Sequence, residues 1–280
     1  MIAFFAEHLL LFPLLFVTYL GLEAFEAKAG GALERFLERA RAIGPLAGAL
    51  AGTVPQCGFS AVAASLYSGG VITLGTLLAV FLSTSDEMLP VLIGSRAVPA
   101  ALMAKIVAIK IIFAAAVGFA FNAAQSFFRG GAKPKIRIGE LCRHSHCHCH
   151  ERKGILMPAL IHATEIFVFI IAVSGAVALI THYFGDSWIR SLLLDRPVAG
   201  EAIGAALGLI PNCAISVVTA QMYAGGAMGI GPLLASSFAG SGVGLVVLLR
   251  TNRSLKENLA VLLAVYVLAV ALGTLGCVFF

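Results

Sequence analysis

Gly52-Thr-Val-Pro55-Gln56-Cys57-Gly-Phe-Ser60 returns further along the chain as Gly208-Leu-Ile-Pro211-Asn212-Cys213-Ala-Ile-Ser216, at a constant offset (211 − 55 = 156). The register persists beyond the two strings: Tyr67 falls on Tyr223, Gly69-Gly70 on Gly225-Gly226, Gly75 on Gly231, Leu77-Leu78 on Leu233-Leu234, and Ser85 on Ser241. Small residues recur by accident in apolar sequences. A shared Pro-polar-Cys-x-x-Ser string with matched tyrosine and paired glycines points instead to duplication. Both strings interrupt apolar stretches, 43–68 and 199–224. Gly/Pro-interrupted segments at matching places in two halves mark the binding site of a transporter.

The surrounding composition is that of a membrane protein. The 280 residues are 60% hydrophobic and 12% charged, with a mean hydropathy of +0.98, which is more apolar surface than one soluble core can bury. A spanning helix needs about 20 mostly apolar residues, and such runs lie at 8–25, 71–94, 98–125, 155–183, 227–249 and 258–280. The first run has neither a basic start nor a small-residue cleavage site, so it is expected to stay as a helix. Although the formal net charge is +5, the basic residues sit in short loops between spans, where they orient a chain in the bilayer. Nucleic acid is therefore set aside as a partner. Of six cysteines, Cys142, Cys147 and Cys149 share one loop and Cys57, Cys213 and Cys277 lie in apolar segments, unlike a secreted disulfide framework.

Charge decides the expected topology. Arg129, Lys133, Lys135, Arg137, Arg143, Arg152 and Lys153 place the segment 126–154 in the cytoplasm, whereas the connector 184–201, with Asp186, Asp195 and Glu201 against Arg190 and Arg196, suits the outside. If 199–224 crossed fully, the basic connector Arg250, Arg253, Lys256 would fall outside; a re-entrant hairpin of two half-helices keeps it cytoplasmic. The same reasoning puts 26–41, with Lys28, Arg35, Arg39 and Arg41, inside, and Glu23 to Arg41 reads as an amphipathic helix at the interface or a plain solvated one. The expected fold is an all-α polytopic membrane protein with two inverted-topology repeats. Each repeat reads helix, re-entrant hairpin, helix, helix, for ten helical pieces counting half-helices separately. The expected organisation is 1–125 as the first transmembrane repeat, 126–154 as a cytosolic His/Cys-rich linker and 155–280 as the second repeat.

Irregular backbone at membrane depth survives only where it is buried in protein or lines a wet cavity, so Pro55 and Pro211 should mark hairpin tips meeting near the midplane. Gln56, Cys57, Ser60, Asn212, Cys213 and Ser216 offer amide, thiol and hydroxyl groups there; taken singly, such residues can also be plain helix glue. Ser83-Thr84-Ser85-Asp86-Glu87 places adjacent carboxylates inside a span, which is costly and usually functional, and Pro90 should free a carbonyl about one turn back, near Asp86, and open the backbone there. The counterpart of this string is the uncharged Gly240-Ser241-Gly242. Lys105 and Lys110 lie in the next span, and His162 and Glu165 in the first span of the second half. Cation entry at Asp86 and Glu87 could displace a proton or a lysine and so couple export to proton influx. A structural ion pair is the plainer alternative, and Lys105 can snorkel to the interface.

The loop Cys142-Arg-His144-Ser-His146-Cys147-His148-Cys149-His150-Glu151 is dense enough in imidazole and thiol to bind a transition metal, without regular finger spacing. It reads as a cytosolic collector or sensor, or as a histidine-rich loop outside transport.

Val54-Pro-Gln-Cys-Gly-Phe-Ser60, Ser83-Thr-Ser-Asp-Glu-Met-Leu-Pro90 and Ile210-Pro-Asn-Cys-Ala-Ile-Ser-Val217, with the central His/Cys loop, resemble the ten-helix heavy-metal exporters, whose members are labelled arsenic efflux proteins or manganese transporters. The resemblance covers nearly the whole chain. It implies inner-membrane export of a metal or metalloid ion, with no resident cofactor. Cys57 and Cys213 suit arsenite, zinc or cadmium as ligands, whereas Asp86, Glu87 and nearby hydroxyls suit manganese. An intramembrane enzyme finds no His-Glu-x-x-His or Gly-x-Ser-x-Gly string. A channel, or a carrier for a small anion, remains as an alternative, and a homo-oligomer is compatible with the sequence.

Overall fold

The structure, a computed structural model, describes residues 12–13, 16–17, 20, 43–54, 58–85, 88–95, 98–128, 156–157, 160–161, 163–164, 167–168, 199–211, 213–226, 228–252 and 254–280. Among them every regular element is helical. The first half contributes α1 (Ile43–Gly52), α2 (Gly58–Ser68), α3 (Leu74–Ser83), α4 (Met88–Ser95) and α5 (Ala100–Phe128). The second contributes α6 (Ala199–Gly208), α7 (Cys213–Ala224), α8 (Ile230–Ala239), α9 (Gly244–Thr251) and α10 (Leu255–Gly276), which tightens into a 3-10 turn over Cys277–Phe279. The described residues between 12 and 20 and between 156 and 168 are also helical, and there Phe12 meets Phe167 edge to face, ring centroids 5.2 Å apart. Among the described residues three runs are long and apolar enough to cross a bilayer: Ala100–Phe127, Ile230–Thr251 and Leu255–Phe279.

Local chemistry sets the helix limits. Thr73 caps α3 by accepting from the Thr76 backbone N–H at 3.2 Å, and α3 is buried from Gly75 through Ser83, as suits a helix apolar all round. Ser254 caps α10 through the Glu257 N–H at 3.3 Å, half of a capping box. After α2 and α7 the chain turns through Gly70 and Gly226, with φ of 72° and 71°. Gly69 N–H donates to Ser65 and Gly70 N–H to Tyr67; Gly225 and Gly226 repeat this on Gln221 and Tyr223. Moved along by the same 156 residues, α3 and α4 land on α8 and α9 end for end.

Glycines spaced four apart set the helix directions. Gly44 lies against Thr76, Gly48 against Thr76 and Val80, and Gly52 against Val80 and Ser83, so α1 and α3 run side by side and parallel. Gly200 and Gly204 meet Pro232, and Gly208 meets Ser236 and Ala239, so α6 runs parallel to α8 in the same way. Because α1 and α3 start at one level and end at another, the segment between them, α2 included, carries the chain back the full length of α3. α5 then returns antiparallel, with Gly118 against Gly75 and Lys110 reaching Thr84, and α10 does the same beside α8, with Gly273 against Ala235. The halves interlock: α2 packs on α9 and α7 on α4. Gly244 of α9 sits against Ser60 and Phe81, and Ser68 and Thr251 share a 2.7 Å hydrogen bond.

Two sequence readings change here. The runs 71–94 and 227–249 are not single helices: α3 ends at Ser83 and α4 begins at Met88, while α8 ends at Ala239 and α9 begins at Gly244. The Thr84 N–H still bonds the Val80 carbonyl at 3.0 Å, and the Thr84 and Ser83 hydroxyls donate to the same oxygen at 2.7 and 3.1 Å, local side-chain bonding that competes with helix geometry. In the second half Gly242, at φ 53°, supplies a backbone conformation that other residues adopt at a cost. Glu201, read as part of an outer connector, instead lies in the first turn of α6 with 7% of its surface exposed. The amphipathic stretch Glu23 to Arg41 and the loop Cys142 to Glu151 lie outside the described residues.

Candidate functional site

The packing of α1 on α3 and of α6 on α8 brings the interruptions into line. Gly52, at the end of α1, stands against Ser83, the last residue of α3, and Gly208, at the end of α6, stands against Ser236 and Ala239 near the end of α8. Each of α1 and α6 therefore ends beside a break in the neighbouring helix. Glycine is required for this approach: a Cβ on Gly208 would sit 2.9 Å from the Ala239 Cβ.

Lys110 ties the two breaks together. Its side chain, from α5, is fully buried, and its Nζ donates to the Thr84 carbonyl at 2.6 Å, the Ser237 carbonyl at 2.9 Å and the Ser237 hydroxyl at 2.5 Å. Thr84 is the C-cap of α3 and Ser237 lies in the last turn of α8, so one ammonium serves the C-terminal ends of a half-helix from each half. Those ends carry unsatisfied carbonyls and partial negative charge, which is what makes a buried ammonium tolerable. The Phe238 ring, 5.6 Å from Nζ, adds a cation–π contact. At the place of Lys110 in the second half stands Tyr266, whose hydroxyl donates to the Ala202 carbonyl at 3.3 Å instead. The junction is thus repeated in backbone and single in charge.

Hydroxyls line this junction. Ser60, Ser83, Thr84, Ser85, Ser236 and Ser241 are all buried. The Ser85 hydroxyl donates to the Ser83 carbonyl at 3.3 Å, whereas the Ser241 hydroxyl finds no hydrogen-bond partner among the described residues. Of the residues singled out in the sequence, the structure gathers Ser60, Ser83, Thr84, Ser85, Ser241 and Lys110 around the breaks. Ser216 lies half-buried in the first turns of α7, which Cys213 opens. Lys105 is elsewhere: its Nζ donates to the Phe279 carbonyl and lies 4.8 Å from the Phe280 ring centroid, fixing the chain's last residues. Gln56, Cys57, Asp86, Glu87, Asn212, His162 and Glu165 lie outside the described residues, as does the side chain of Cys213. Among the described residues no three His, Cys, Asp or Glu side chains gather as a metal cluster.

Two features escaped the sequence reading. Ser237 is the acceptor that brings the second half to Lys110, and only the Ser236-Ser237 pair before Gly240 hinted at it. The glycine runs at 44, 48, 52 and at 200, 204, 208 are the stronger missed signal, because small residues four apart mark close helix packing in membranes and both runs follow the repeat offset.

Broken helices repeated in two interlocked halves, with spans long enough for a bilayer, define a polytopic helical membrane protein. Residues 12–190 match the family described as "Putative, 10TM heavy-metal exporter", and with more than half its length covered the chain belongs to that family. The match runs from the leading helix through the His/Cys-rich linker and stops short of α6. It is an exporter family and not an enzyme class. No curated protein and no solved structure matches the chain.

Proposed function

We propose that the protein is a secondary-active exporter of a heavy-metal or metalloid ion, coupled to protons, whose substrate passes through the junction of the four interruptions. The observation that carries this reading is the Lys110 ammonium, bonded to half-helix ends from both halves. A field that holds a buried cation there is suited to a transported one. Asp86 and Glu87 follow Ser85 directly in the chain, so we assign the substrate cation to these carboxylates, with Cys57 and Cys213 from the two turns as further ligands. Protons leave the carboxylates as the cation enters, and His162 and Glu165 extend the proton route. Lys110 acts as the fixed counter-charge. We leave Lys105 outside the proposed route, since its ammonium donates to the Phe279 carbonyl, away from the junction.

The packing supports an inverted repeat. α2 runs against α3 yet lies parallel to α9, with Ser60 by Gly244 and Ser68 by Thr251, which sets α8–α9 opposite in direction to α3–α4. On this reading 43–68 and 199–224 are re-entrant hairpins, 1–125 and 155–280 are the two repeats, and 126–154 is a cytoplasmic linker at the inner membrane that gathers metal. The same junction supports manganese as a second substrate, since among the described residues it offers oxygen donors, which manganese favours.

Uptake into inverted vesicles, with and without an imposed pH gradient, tests the proposal across manganese, zinc, cadmium, nickel and arsenite. One of these ions is expected to accumulate only with the gradient, and Asp86→Asn to abolish that dependence. Gradient-driven uptake that survives Asp86→Asn removes the coupling role assigned to the acidic pair.

A further inference from the structure

Away from the junction, a buried carboxylate oxygen has no hydrogen-bond partner among the described residues. It is the Oε2 of Glu201, a residue 7% exposed. Beside it lies Cys277, an exposed free thiol. Both groups crowd the space above Gly231: a Cβ there would stand 2.5 Å from Glu201 Oε1 and 2.6 Å from Cys277 Sγ. Carboxylate and thiol are therefore close neighbours, and the missing side chain at Gly231 is what gives them room.

Their backbones are held from several sides. The Tyr266 hydroxyl donates to Ala202, next to Glu201, the Cys277 N–H donates to the Gly273 and Leu275 carbonyls, and Lys105 holds Phe279 just beyond. The first half has nothing equivalent. Its matching residues are Pro45, Gly75 and Phe121, and Gly75 N–H donates to the Asn122 side-chain oxygen at 3.2 Å. The pair is an addition to the repeat.

We infer that Glu201 and Cys277 form a second cation site, for a thiophilic or borderline divalent ion such as zinc or cadmium, at the end of the bundle where α6 and α8 begin and α10 ends. One carboxylate and one thiolate are ligands these ions accept. The cation supplies a counter-charge that Glu201 does not find among the described residues, and water can reach the exposed thiol to complete the shell. Binding forms a metal–sulfur bond and releases the Cys277 thiol proton to solvent. Gly231 lies eight residues (239 − 231 = 8), about 12 Å, along α8 from its last residue, so on the exporter reading proposed above the site is a way-station for the ion on that helix.

Peptide-resolved maleimide labelling of Cys277 in the full-length detergent-solubilised protein tests the site. Cadmium or zinc is expected to slow labelling, magnesium to leave it unchanged, and Glu201→Gln to raise the cadmium concentration for half-protection by about tenfold or more. Gly231→Ala is a second test if Glu201→Gln does not fold, since its methyl displaces both ligands and leaves their chemistry intact; it too should lose protection. Equal protection in wild type and both variants, or none in wild type at saturating cadmium, overturns the inference. Vesicle uptake is read separately: protection can vanish while gradient-driven uptake persists, which sinks this site and spares the exporter reading.

Discussion

Without the Lys110 ammonium, the Thr84 carbonyl and both Ser237 oxygens lose a buried donor. A buried polar group left unpaired costs about 1–3 kcal/mol, so Lys110→Met is expected to lower the thermal midpoint in detergent well below that of Ser237→Ala, which removes one acceptor only. Equal midpoints for the two variants would show that the ammonium is not the tie between the breaks. Gly226 offers a cleaner measurement, because a Cβ there meets nothing within 4 Å while φ is +71°. Gly226→Ala should therefore cost about 1–2 kcal/mol of conformational strain alone, read as a shift in unfolding free energy, and a neutral result would contradict the left-handed turn. At this scale the sequence showed that Lys110 was a charge inside a span, but not its partner. Ser237 lies 127 residues away, and no local pattern encodes a contact at that separation. Glu201 misled for the opposite reason: it closes a charged connector and reads as surface, and only the packing of α6 on α8 buries it.

Helix contacts turn on what stands opposite each glycine. A Cβ on Gly48 would meet the Thr76 carbonyl and Val80 at 3.1 Å, whereas one on Gly204 would meet the Pro232 carbonyl at 2.5 Å. At 3.1 Å the neighbours of Gly48 need to give by only a few tenths of an ångström, whereas at 2.5 Å the Pro232 backbone itself must move. Overpacking costs about 1–3 kcal/mol, so Gly204→Ala should sit at the severe end of that range and Gly48→Ala at the mild end, measured as thermal midpoints of the two purified variants; the reverse order would refute the packing described. The interruptions within 43–68 and 199–224 were legible because proline and a polar residue inside an apolar run have few other uses. The breaks between α3 and α4 and between α8 and α9 were only half legible. Hydropathy runs straight through them, and the local features lie in hydroxyls that bond back to Val80 at the first break and in the positive φ of Gly242 at the second.

For the molecule as a whole, the duplication was visible in one pairwise comparison, since the offset of 156 survives in helix limits, turn hydrogen bonds and glycine contacts alike. The interlocking of α2 with α9 and of α4 with α7 was not, because it arises only when the two copies meet. The opposed orientation proposed above makes a specific prediction for single introduced cysteines probed from each side of the membrane. Positions in 126–154 and 250–256 should label from the cytoplasm and positions in 184–198 from outside. Labelling of 250–256 from outside would make the repeats parallel. Lys110 has one further consequence. Two copies of a fold, left to themselves, could trade conformations and return an equivalent molecule; a bolt carried by one copy and seated in both removes that equivalence. The two exchanged shapes then differ in energy, and the protein rests in whichever one keeps the bolt home.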